Sequence, residues 1–139
     1  MRRALTAAVV ALALVPGCGS STASDAAAKQ AFLDAIAQIR STHSAEKLHR
    51  QLLRTSARLR EIHPRRPAAR TGRALALRGF RWTLRGLEAR IEIRVNDSGN
   101  LEASVHDAKR ADRDLNRGAN LLRAAGRAFG VRVGTLNGH

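Results

Sequence analysis

Leu77, Phe80, Leu84, Leu87, Ile91 and Val95 recur at alternating spacings of three and four residues, the period of a helix that buries one face. Leu75, Gly79, Trp82, Gly86, Ala89 and Ile93 keep similar spacing on a second face. Gly79 and Gly86, seven residues apart, let another backbone approach closely there. A helix apolar on two faces touches two neighbours. This segment is therefore expected to be the central helix of a bundle, the alternative being a partner or self-association face centred on Trp82. Arg78, Arg81, Arg85, Glu88 and Glu92 fill the remaining face. The β-branched run from Ile91 to Val95 would suit a strand, but the continuing stripe assigns it to the helix.

The rest of the chain carries the same period. Phe32, Leu33, Ile36 and Ile39 form a first stripe, interrupted at Ser41–Ser44 by residues that cap rather than pack. It resumes with Leu48, Leu52, Leu59 and Ile62. From His63 to Thr71 the sequence HPRRPAART predicts a turn, because Pro64 and Pro67 lack backbone donors and push their predecessors out of helical geometry. The next helix is expected from about Arg73, and Asn96–Asn100 closes it as a second turn. Leu101, Val105, Ala108, Leu115, Ala119, Leu122 and Phe129 make the last stripe, ended by Gly130 as a C-cap glycine with Val131 as its apolar companion. The expected fold is all-α, a small antiparallel bundle of three to four helices over residues 25–130, followed by a loose C-terminal tail, 131–139.

Composition agrees with one small core. Hydrophobic residues are 44% of the 139, but aromatic ones only 3%, so the interior is built from Ala, Leu, Ile and Val. The shortage of aromatics argues against a surface that stacks nucleic-acid bases.

The N-terminus has a different design. Arg2 and Arg3 precede an apolar run from Ala4 to Val15, then Pro16, Gly17 and Cys18. A run of about a dozen residues is short of the roughly 20 that span a bilayer, which favours a removed signal over a retained anchor. Cys18 is the one cysteine, so it forms no internal disulfide. Val15, Pro16, Gly17 and Cys18 resemble the bacterial lipobox, in which a branched apolar residue and small residues precede an obligatory Cys. Val15 stands where Leu is commonest and Pro16 where Ala, Ser or Thr is usual.

The resemblance covers this segment alone. It implies a lipoprotein precursor, of an actinobacterial type by its Ala and Arg richness. Residues 1–17 would be the signal peptide, cut between Gly17 and Cys18, with diacylglycerol attached to the Cys18 thiol and a further acyl group such as palmitate on the freed amine. Residues 18–24 would then be a flexible lipidated tether, with the folded part starting near Asp25 and Ser24 or Asp25 as the N-cap of the first helix. The implied location is the outer face of the cell membrane.

No residue set calls for catalysis, a metal or a cofactor. His43, His49, His63, His106 and His139 show no zinc-ligand spacing, and Ser and Thr occur without a nucleophile context. Asp107, Asp112 and Asp114 interleave with Lys109, Arg110, Arg113 and Arg117 at spacings that suit intrahelical ion pairs. Charge is the remaining signal. The formal net charge is +14, and loss of Arg2 and Arg3 would take the 25 Lys and Arg to 23 against 11 Asp and Glu. Arg65, Arg66, Arg70, Arg73 and Arg78 gather around the proline turn as a candidate patch for an anionic partner. The expected role is a non-enzymatic interaction or envelope-support module. The alternative is a basic module for anionic wall polymer, anionic lipid or nucleic acid, with nucleic acid disfavoured by export.

Overall fold

A computed structural model describes residues 19–95 and 101–136, with side chains from residue 23 onward. The chain forms α1 (Gly19–Ser41), α2 (Ala45–Glu61), α3 (Pro67–Val95) and α4 (Leu101–Ala128), with no strand among the described residues. This is the expected all-α bundle, with four helices. Side-chain contacts set an up-down-up-down course. Gln38 on α1 meets Thr55 on α2, and Arg73 near the start of α3 reaches Leu59 near the end of α2. The turn predicted at 96–100, the signal and lipobox residues, Gly17 and Cys18 among them, and residues 137–139 lie outside the described residues.

Helix boundaries correct several expectations. Gly19 to Ser24, expected as a flexible leash, belong to α1, because Ala23 and Ala26–Ala28 are strong helix formers and carry the helix toward the N-terminus. Asp25 is thus inside α1 and is not its N-cap. Ser44 caps α2, its hydroxyl accepting the Lys47 amide at 3.2 Å, so the expected break at 41–44 separates two helices. The second interruption is shorter than expected. α3 starts at Pro67, where a fixed φ and a missing N–H cost a first helical turn nothing.

The core runs through Phe32, Leu52, Leu59, Phe80 and Leu122, all essentially inaccessible to solvent. Phe80, Leu84 and Leu87 are the buried members of the first α3 stripe. Val95, Leu101 and Val105, which continue the stripes, are exposed at 75%, 78% and 44%. The reason is length: α3 and α4 have 29 and 28 residues while α2 has 17, so the far end of the α3–α4 hairpin has no third helix against it.

The second α3 face packs on α4 with glycine against large side chains. Gly72 faces Phe129, Gly79 faces Leu122 and Gly86 faces Leu115, so each step of seven up α3 matches a step of seven down α4. Thr83 returns the relation, its backbone and hydroxyl lying against Gly118. This is an antiparallel seam in which small residues on one helix admit knobs from the other. The close approach expected of Gly79 and Gly86 is present, and Gly72 and Gly118 extend it.

The expected glycine cap closes α4. Gly130 adopts φ +68 and its amide bonds to the Arg127 carbonyl at 3.1 Å, while the Val131 amide bonds to Gly126 at 2.8 Å. This is the double hydrogen bond of a Schellman C-cap. The tail then packs onto the domain. Val131, Val133 and Leu136 rest against the core while Arg132 and Gly134 face solvent, Gly134 lying where an added methyl group would meet the Arg40 guanidinium of α1. The folded unit therefore extends to residue 136, because this stretch can bury apolar residues against the core.

Candidate anionic-partner surface

The proline-turn arginines divide by environment. Asp25 gathers the turn: its Oδ1 accepts the Arg65 amide at 2.7 Å and the Arg66 amide at 3.3 Å, and its Oδ2 lies 3.6 Å from Arg66 Nε. Arg73 is half-buried and spends its guanidinium on the C-terminal carbonyls of α2, donating to Leu59 O at 3.0 Å and Arg60 O at 2.6 Å. That interaction satisfies orphan carbonyls and opposes the negative end of the helix dipole. Arg65, Arg70 and Arg78 are exposed. Arg66 is exposed as well, its side chain at 69% although its Nε approaches Asp25, so of the five candidate residues only Arg73 is turned into the fold.

Asp112 and Asp114 of α4 bond across helices rather than along α4. Asp112 meets Arg90 at 2.9 Å and Asp114 meets Arg85 at 3.6 Å, both on α3. The antiparallel seam places these partners nearer than the i+3 or i+4 arginines. His49 likewise pairs with Glu88 of α3 at 2.9 Å, and His106 lies 3.4 Å from its neighbour Asp107. Among the described residues no group of three His, Cys, Asp or Glu side chains converges to hold a metal.

Two concavities flank the hairpin. A cleft of about 490 Å³ lies between the end of α1, the start of α2 and the α3–α4 seam, lined by Leu48, Thr83, Leu87, Leu122 and Leu136 among others. Its charged rim is compensated internally, Arg90 by Asp112 and Arg94 by Glu46 at 3.3 Å. Glu46 is held below the ordinary carboxylate range by its own backbone amide, then by the Ser44 hydroxyl and by Arg94 and Arg50. The second, about 500 Å³, lies at the outer end of the hairpin and mixes Arg85 and Arg110 with Glu92, Asp107 and Asp114.

Trp82 occupies neither core nor cleft. It is half-buried on the outer side of the α3–α4 seam, with the Arg117 guanidinium 4.1 Å and the Arg85 guanidinium 5.0 Å from its ring centroid. Cation–π contact of this kind is favourable by roughly 0.5–1 kcal/mol at exposed sites. The sequence reading left Trp82 open between core and interface. The missing signal was Arg117, which is adjacent only through the tertiary seam.

No protein-family model, no curated protein and no solved structure matches this chain at a significant level.

Proposed function

We propose that the chain is a non-enzymatic lipoprotein of the cell envelope, held on the outer face of the membrane by lipid on Cys18 and presenting its helical domain to an envelope partner. The observation that carries this reading is the sequence itself: a basic start, an apolar run and Val15-Pro16-Gly17-Cys18. It is supported by the described domain, in which no helix is long and apolar enough to cross a membrane, so attachment would have to come from elsewhere. Two acyl chains would supply it, since a single chain binds only marginally.

The test is membrane fractionation of cells producing the wild type or Cys18→Ala, with labelled palmitate in the medium. The wild type should incorporate label and remain with membranes after a high-salt wash, and Cys18→Ala should do neither. A Cys18→Ala protein that stayed membrane-bound through the wash would remove the anchor from this reading.

The second reading is a basic module for anionic polymer, lipid or nucleic acid, favoured by the exposed Arg65, Arg70 and Arg78. It predicts binding that falls steeply as salt rises, because exposed charges are screened within about 10 Å at 0.1 M salt.

A further inference from the structure

The outer side of the α3–α4 hairpin has a character of its own and shares only Arg78 with the proline-turn patch. Leu75, Arg78, Trp82, Arg85 and Ala89 follow a spacing of three and four along α3, so they share one face. The buried Phe80, Leu84 and Leu87 point elsewhere, into the core formed with α1 and α2. From α4, Arg117 reaches the same face through its contact with Trp82, and Leu121 stands one turn further along. Leu75, Trp82 and Leu121 are each half-buried, forming a shallow apolar strip along the seam.

Arginines run beside the strip on both helices. Arg78, Arg81 and Arg85 on α3, and Arg110, Arg113 and Arg117 on α4, are all exposed. Carboxylates share the outer end of this face, Asp114 lying 3.6 Å from Arg85 and Glu92 and Asp107 lining the same concavity as Arg85 and Arg110, so the cationic stretch is that of Arg78, Arg81, Arg113 and Arg117. The result is a long face with an aromatic and aliphatic centre and cationic margins. Trp sits preferentially where an apolar layer meets polar headgroups, and arginine stems lie along apolar surface while their heads reach phosphate. Two guanidiniums already engage the Trp82 ring, which leaves it ill placed to stack a nucleic-acid base.

We propose that this face lies flat on an anionic lipid bilayer, with Trp82 at headgroup depth and the flanking arginines on lipid phosphates. Export and lipidation are not required for it. The two antiparallel helices give it the length to contact many headgroups at once, and each basic residue near the surface adds to the attraction.

Trp82 is the single tryptophan of the chain, so its fluorescence reports this face alone. The experiment uses the full chain with vesicles of phosphatidylglycerol and phosphatidylcholine, or of phosphatidylcholine alone, with brominated acyl chains as quencher. Phosphatidylglycerol should shift Trp82 emission to the blue and allow quenching, and added salt should reverse both. The double variant Arg78→Glu/Arg117→Glu, checked for unchanged helicity by circular dichroism, should need on the order of ten-fold more lipid or greater for the same quenching.

Equal quenching in neutral vesicles, or equal quenching of the double variant, overturns the proposal. So does an oligonucleotide that shifts Trp82 emission where anionic vesicles do not. A chain that sediments with vesicles through residues 1–18 while Trp82 remains unquenched also overturns it, and leaves the Cys18 anchor untouched. Cys18→Ala should leave the Trp82 response to anionic vesicles unchanged, and loss of that response in this variant also overturns the proposal.

Discussion

The carboxylate of Asp25, inside α1, accepts the backbone amide of Arg65 at 2.7 Å, tying the first helix to the turn that opens α3. The same oxygen takes the Arg66 amide at 3.3 Å, so one side chain satisfies two consecutive donors ahead of the proline that starts the helix. The Asp25 side chain is only 12% exposed, which strengthens the dependence. Asp25→Ala should lower unfolding free energy by about 1–2 kcal/mol, measured by urea denaturation. Asp25→Asn, which keeps an acceptor, should lose less.

At Gly118 a methyl group would run into the Thr83 hydroxyl, with the Thr83 amide at 3.0 Å and the Gly79 carbonyl at 3.1 Å behind it. Backbone on two sides leaves no room to yield. Overpacking costs typically about 1–3 kcal/mol, while alanine recovers up to about 1 kcal/mol of helix propensity. Gly118→Ala should therefore destabilise by about 1–2 kcal/mol and lower the melting temperature. Gly130→Ala is also expected to destabilise, by about 1 kcal/mol and for a different reason, since its surroundings are open and only its φ of +68 resists a side chain.

The arginines of the proline turn should separate into two groups on substitution. Arg73→Ala removes both donors to the α2 carbonyls and should cost about 1–2 kcal/mol of stability. Arg70→Ala and Arg78→Ala, at exposed positions, should change stability by less than about 0.5 kcal/mol. Their effect should appear in binding to anionic vesicles or polymers at low salt. Denaturation and cosedimentation of the three variants in parallel check both halves.

Glu46 makes part of the stability depend on pH. Its carboxylate is favoured first by its own amide and then by the Ser44 hydroxyl, so its folded-state pKa lies below the ordinary glutamate value of 4.5. A lowered acid contributes stability that is complete above the ordinary value and is lost as pH falls through the lowered one. Glu46→Gln should flatten that acid limb. Ser44→Ala should move the Glu46 titration upward by NMR and, through loss of the α2 N-cap, cost about 1 kcal/mol.

What the sequence disclosed follows the range of each interaction. The Gly130 cap, the Ser41–Ser44 break and the Gly79–Gly86 spacing are local patterns, each read from a few neighbouring residues. The paired seam needed two stretches at once: Gly72 and Phe129 have no relation until α3 and α4 are antiparallel. Asp25 looked like a cap for its own helix because capping is usually local, yet it serves a turn 40 residues away. Arg73 counted as surface charge for the same reason. Charged residues advertise solvent by default, and only the position of the α2 terminus reveals that this one is occupied.

The glycine seam also distributes resistance to opening unevenly along the chain. α3 and α4 are held by large side chains seated on glycines along the seam, whereas α1 is fastened at its start by Asp25 and further on by Phe32, whose ring lies tilted with its centroid 5.3 Å from that of Phe129. Amides near Gly79 and Gly118 should thus be the last to exchange with heavy water, and those at the start of α1 among the first. A pull exerted through the N-terminus would peel α1 away while the hairpin, Trp82 and its arginines kept their arrangement.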